Sequence, residues 1–61
     1  MYYILKIESN GNILFFWGFN SQGRAIWKTT KKGICKYNSY EEASEDREHF
    51  SIFNTVIEKL K

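Results

Sequence analysis

The chain of 61 residues contains no proline, one cysteine and one histidine. The lone cysteine, Cys35, excludes an internal disulfide, and together with a single histidine it leaves no zinc ligand set. We therefore expect a fold held by packing alone, with no metal and no cofactor. No apolar run approaches the roughly 18 residues that cross a bilayer, and residues 1–3 lack the basic start of a signal peptide. These absences predict a cytoplasmic protein without a membrane partner.

The net charge of +2 is too small to argue for strong attraction to nucleic acid or membranes. The charges are nevertheless segregated along the chain. All charged residues at positions 24–36 are basic, namely Arg24, Lys28, Lys31, Lys32 and Lys36. Acidic residues dominate positions 41–48, namely Glu41, Glu42, Glu45, Asp46 and Glu48. This order predicts a dipolar domain with a basic strand region and an acidic helix start.

Three strands are predicted at about 2–8, 13–19 and 24–30. The first two flank Asn10-Gly11, which is the strongest short signal for a hairpin with a two-residue turn. Such a turn would place Glu8 opposite Ile13 and Leu5 opposite Phe16. A second turn at 20–23 leads into the third strand, in which we expect Phe19 to pair with Arg24.

The rest of the chain predicts a helix and leaves one segment ambiguous. Residues 31–38 fit either a short fourth strand at 34–37 or a helical turn that places Ile34 and Tyr37 under the sheet. Ser39 and Glu42 form a capping-box pattern that predicts a helix start near Tyr40. An apolar core stripe then recurs at helical spacing and predicts a helix at about 40–60, with the stripe at Tyr40, Ala43, Phe50, Phe53, Ile57 and Leu60. The expected fold class is α+β, in which an antiparallel meander of three or four strands carries one C-terminal helix on one face.

The predicted register gives the sheet two apolar faces. The core face would hold Tyr3, Leu5, Ile7, Leu14, Phe16, Ala25 and Trp27. The second face would hold Glu8 and Ile13 together with the nine residues of the predicted partner surface, namely Tyr2, Ile4, Lys6, Phe15, Trp17, Phe19, Arg24, Ile26 and Lys28. One helix covers one face only, and so large a second patch exceeds what monomers usually expose.

Three kinds of cover for the second face remain open. The segment 31–38, or a helix bent at Ser51, would bury it from within. A protein partner or a second copy fits because Trp, Tyr, Phe and Arg dominate interface hot spots; a two-fold dimer would meet through Ile4, Phe15, Trp17 and Ile26. Single-stranded nucleic acid would also cover this face, because its bases stack on aromatic side chains that are flanked by Lys and Arg.

No catalytic site is predicted. His49 lies in an acidic segment without an identifiable nucleophile, and Cys35 belongs to a different element. The carboxylates at 41–48 suit a helix start, and their functional alternative is a secondary docking surface for a basic groove. We therefore expect a protein that is not an enzyme.

The segment "KYNSYEEAS", residues 36–44, enters the final helix after aromatic hairpins in a chain biased to Lys, Asn, Ile and Tyr. In these features the chain resembles small proteins of bacteriophages and mobile elements of AT-rich bacteria, a group that includes anti-CRISPR proteins. The resemblance implies stoichiometric inhibition of a host or defence protein. The expected function is accordingly protein binding, and the alternative is single-stranded nucleic-acid binding through Phe15, Trp17 and Phe19.

Overall fold

The structure, a computed structural model, describes residues 1–49 and 55–60, without the side chain of His49. Its elements are β1 (Tyr2–Ile7), β2 (Ile13–Phe19), β3 (Ala25–Lys28), α1 (Tyr40–His49) and β4 (Thr55–Lys59). The strands form one antiparallel sheet in the order β3-β2-β1-β4, with α1 against β1 and β4. The predicted α+β class, a meander with one helix packed on it, is confirmed.

The predicted helix of 40–60 was too long, because residues 55–59 form a strand. The helical spacing of Ile57 and Leu60 suggested a helix, yet Ile57 pairs with Ile4 of β1. β1 has two edges of backbone hydrogen-bonding groups, and residues 55–59 pair with the edge that β2 leaves free. The β-branched run Thr55-Val56-Ile57 suits a strand. The predicted helical positions Phe50 and Phe53, and the predicted bend at Ser51, lie outside the described residues.

The first hairpin has a three-residue loop where a two-residue turn was predicted. The Glu8 amide donates to the Asn12 carbonyl at 2.8 Å, and the Gly11 amide donates to the Glu8 carbonyl at 2.9 Å. Gly11 takes the positive φ of 89° that closes such a loop. The register therefore slips by one residue, so Leu5 pairs with Phe15 instead of Phe16.

The slip reverses the predicted faces of β1, because side chains alternate along a strand. Ile4, instead of Leu5, shares a face with Phe16, and both are fully buried with Ala43 of α1. We call this the helix face. The opposite face holds Tyr3 and Leu5, both buried with Ile34.

A β-bulge at Trp17 corrects the predicted pairing of β2 with β3. Phe16 pairs with Trp27, but the next pair joins Gly18 to Ile26, which leaves Trp17 as the extra residue. Beyond the bulge Phe19 pairs with Ala25, not with Arg24. Phe19 therefore returns to the helix face, where its ring lies 5.4 Å from that of Phe16.

Residues 35–37 pass between β1 and β2. Of the predicted strand 34–37 only an isolated antiparallel bridge from Tyr37 to Tyr2 forms, and the turn in this segment lies earlier, where the Ile34 amide donates to the Lys31 carbonyl at 3.3 Å. The β1–β2 pairing ends at Leu5 and Phe15. Beyond it, the Cys35 amide donates to the Phe16 carbonyl at 3.0 Å, and Tyr37 exchanges two bonds of 2.8 Å with Tyr2. This crossing segment carries the chain from one face of the sheet to the other, which explains why Ile34 and Tyr37 are buried in different clusters.

The helix begins with the predicted cap at Ser39. The Ser39 hydroxyl accepts a hydrogen bond from the Glu42 amide at 3.2 Å. The Glu42 carboxylate reaches back one residue further than expected and accepts from the Asn38 amide at 3.3 Å. The cap thus starts α1 directly after the crossing segment.

Candidate functional site

The structure divides the nine residues of the predicted partner surface between the two faces of the sheet. Tyr2, Ile4, Lys6 and Phe19 belong to the helix face. Phe15, Trp17, Ile26 and Lys28 belong to the opposite face. Arg24 is exposed in the loop before β3. The predicted surface, and the two-fold dimer through Ile4 and Trp17, therefore do not exist as one patch, since Ile4 is fully buried under α1.

Residues 30–34, which we call the strap, cover much of the opposite face, which we call the strap face. The Trp17 indole N–H donates to the Thr30 carbonyl at 2.8 Å. Gly33 lies against the same ring so closely that an added Cβ would stand 2.5 Å from it. Ile34 is buried against Tyr3 and Leu5. The cover of the predicted aromatic patch therefore comes from the chain itself.

Two lysines lie over the aromatic rings of the strap face. The Lys28 ammonium stands 4.5 Å from the centre of the Trp17 ring. The Lys31 ammonium stands 5.1 Å from the Tyr3 ring and 5.3 Å from the Phe15 ring. Such cation–π contacts are attractive, and they place the ammonium groups of Lys28 and Lys31 on the strap face.

The strap leaves an aliphatic patch open at the hairpin end of the strap face. We define it by Ile7, Ile13 and Val56, which remain 47 %, 46 % and 36 % exposed. Ile7 pairs with Ile13 across the hairpin, and Val56 pairs with Leu5 on the other side of β1. An open cavity of about 470 Å³ is lined by Ile7, Glu8, Ser9, Thr55 and Val56. Sequence reasoning missed this patch because the predicted register assigned Ile7 to the core face and the predicted helix included Val56.

The outer side of α1 forms an acidic helix surface. Glu41, Glu42, Glu45 and Glu48 are exposed, as the predicted secondary surface requires. Tyr40 is 50 % exposed beside them, and its ring meets that of Tyr2 edge-on at 6.2 Å. A shallow cavity of about 440 Å³ is lined by Tyr40, Glu41, Ser44, Glu45 and Glu48. The sequence pattern assigned Tyr40 to the core stripe and so missed it as a surface residue.

Asp46 differs from the other predicted acidic residues because it faces inward. Its carboxylate accepts a hydrogen bond of 2.9 Å from the Tyr37 hydroxyl. Burial raises the pKa of the Tyr37 phenol well above its usual range, and the neighbouring Cys35 and Asp46 raise this pKa further. Asp46 therefore joins the crossing segment to α1 and is not part of the outer surface.

Among the described residues, no group of three or more His, Cys, Asp and Glu side chains is placed to hold a metal ion. Within residues 1–49 and 55–60, no helix has both the length and the apolar character needed to cross a membrane. No protein-family model matches the chain, and neither a curated protein nor a solved structure matches it.

Proposed function

We propose that this chain is a non-enzymatic protein-binding domain whose contact surface is the acidic helix surface. The observation that carries the proposal is the position of Tyr40, a half-exposed aromatic residue supported by Tyr2 and bordered by Glu41 and Glu45. Tyrosine is among the residue types that dominate hot spots, and a ring held by a neighbour loses little entropy on binding.

The charge of this surface defines the partner that fits it. Exposed carboxylates on successive turns of α1 surround Tyr40, and a protein surface with a basic groove complements them. The most concrete version is a small inhibitor of phage or mobile-element origin that occupies such a groove on a host defence protein. The resemblance of the chain to proteins of that group in size, in composition and in its entry into the helix supports this version.

Capture from a bacterial lysate with a tagged chain tests the proposal, provided that variants identify the surface. We expect one protein to be retained by the wild type, lost with Tyr40→Ala and weakened with Glu45→Lys. Phe19→Ala is the matched control, because Phe19 is an equally exposed aromatic residue (48 %) away from α1. Retention of the same protein by all four chains would show that the acidic helix surface is not the contact.

Single-stranded nucleic-acid binding is the second candidate, and the lysines over the strap-face rings favour it. Of the three predicted stacking rings, Trp17 is covered by Gly33 and Phe19 lies on the other face, which leaves the half-buried Phe15. An oligonucleotide titration tests this candidate. The affinity of the protein for the oligonucleotide should fall steeply between about 50 and 200 mM salt. The Phe15→Ala variant should bind the oligonucleotide more weakly than the wild type.

A further inference from the structure

We propose that the strap face docks onto the surface of an anionic lipid membrane. This site is separate from the acidic helix surface, and its partner is a bilayer that carries acidic headgroups. The sequence-based expectation of no membrane partner rested on the absence of a spanning segment and on the small net charge, neither of which bears on a surface contact through one face. The proposal combines three observations: open aliphatic side chains, ammonium groups on the same face, and carboxylates on the opposite side of the molecule.

The first observation is that the aliphatic patch and the lysines share one face. Val56 pairs with Leu5, Leu5 with Phe15, and Phe15 with Lys28, so one row of directly opposed residues runs across all four strands. Ile7 and Ile13 form the next pair on that face. Apolar groups beside lysines are the combination that lies in the headgroup region of a bilayer.

The second observation is the distribution of charge between the two faces. Lys28 and Lys31 lie over the rings of the strap face, and Lys32 is exposed on the strap itself. The four exposed carboxylates of α1 lie on the helix side, where they outnumber the two lysines Lys6 and Lys59. Glu58, which pairs with Tyr3, and Glu8, beside the aliphatic patch, are the acidic residues near the proposed contact. An anionic surface would therefore attract the strap face and repel the helix side.

The third observation distinguishes a bilayer from other polyanions. The half-buried ring of Trp17 is engaged by the chain itself, because Gly33 packs against it, its N–H donates to Thr30 and the Lys28 ammonium lies 4.5 Å from its centre. The open groups are instead Ile7, Ile13 and Val56. Branched aliphatic side chains neither stack on bases nor require a shaped protein pocket, but they enter the boundary of a lipid headgroup layer.

Co-sedimentation of the full chain with vesicles tests the proposal. The probes are vesicles of phosphatidylcholine alone and vesicles containing about 30 % phosphatidylglycerol. We expect binding to the second kind only, weakened by salt. Lys28→Glu and Lys31→Glu should each lower the partition coefficient by more than about fivefold, because each lysine near an anionic surface contributes roughly a factor of five.

Two further variants separate a face-specific contact from general charge attraction. Lys36→Glu makes the same change in net charge at an exposed position beyond the strap, and it should lower binding by less than Lys28→Glu does. Ile7→Asn with Ile13→Asn should remove most binding at 150 mM salt, and circular dichroism should show that this variant is folded. Equal effects of Lys36→Glu and Lys28→Glu, or full binding after the isoleucine changes, would overturn the proposal. So would binding of an oligonucleotide without binding of either vesicle.

Discussion

Phe16 is the residue on which the core of this small domain depends. It is fully buried, and its ring lies 5.4 Å from those of both Phe19 and Trp27. We expect Phe16→Ala to lower the free energy of unfolding by about 3–5 kcal/mol, since it removes a buried ring and leaves a cavity. A domain of this size has roughly that much stability, so the variant should be largely unfolded by circular dichroism.

Phe19→Ala is the matched control for this prediction. Phe19 is 48 % exposed and its ring meets that of Phe16 edge-on, so truncation of Phe19 should cost about 1 kcal/mol in urea denaturation, well below the cost of losing the buried ring. Equal destabilisation by the two substitutions would contradict the assignment of Phe16 to the core.

Gly33 holds the strap against Trp17 because it has no side chain. An added Cβ would stand 2.5–2.9 Å from three atoms of the ring, so Gly33→Ala should force the strap away at a cost of about 1–3 kcal/mol. The comparison uses a Trp27→Phe background, in which Trp17 is the remaining tryptophan. In that background, iodide should quench Trp17 fluorescence more strongly in the Gly33→Ala variant than in the chain that keeps Gly33. Lys32→Ala, an exposed neighbour in the strap, should leave quenching unchanged; an unchanged value for Gly33→Ala would contradict the tight contact.

At the scale of elements, the Tyr37–Asp46 hydrogen bond joins the crossing segment to α1. The folded state raises the pKa of the Tyr37 phenol, so it favours the neutral phenol. The stabilisation of the fold by the neutral Tyr37 phenol is fully present below about pH 10, the unfolded pKa of tyrosine. It is lost progressively as the pH rises above that value. Tyr37→Phe should therefore destabilise the protein by about 1.5–3 kcal/mol at neutral pH.

Urea denaturation of both chains between pH 8 and pH 11.5 measures this effect. The gap in unfolding free energy between the wild type and Tyr37→Phe should stay constant to about pH 10 and narrow above it. A gap that widens at alkaline pH would show that the phenol is not held neutral by the fold.

At the scale of the whole molecule, α1 and the strap each cover one face of the sheet, and this determines which surface remains for self-association. α1 packs over Ile4 and Phe16, and the strap packs over Trp17, so the aromatic surface expected to form a two-fold dimer is occupied. We therefore expect sedimentation equilibrium at high micromolar concentration to give the monomer mass of 7.3 kDa. A mass twice as large that falls to the monomer value with Ile13→Asn would instead assign a dimer to the aliphatic patch.

The sequence by itself was sufficient for the features that local chemistry controls. The apolar runs of β1, β2 and β3 predicted strands, the Gly11 and Gly23 turns predicted hairpins, and Ser39 predicted the start of α1. The segregation of charge between positions 24–36 and 41–48 was also visible. Each of these signals acts within a few residues, so no distant contact was needed to interpret them.

Only the tertiary structure decided the features that depend on distant partners. The one-residue choice between a two- and a three-residue loop at Gly11 reversed the faces of β1, and the bulge at Trp17 moved Phe19 to the other side of the sheet. Residues 55–59 form a strand because their backbone pairs with the edge of β1 that β2 leaves free, although the spacing of their apolar residues also suits a helix. The candidate surfaces followed from these choices, since a shift of one residue moves every side chain of a strand to the other face of the sheet.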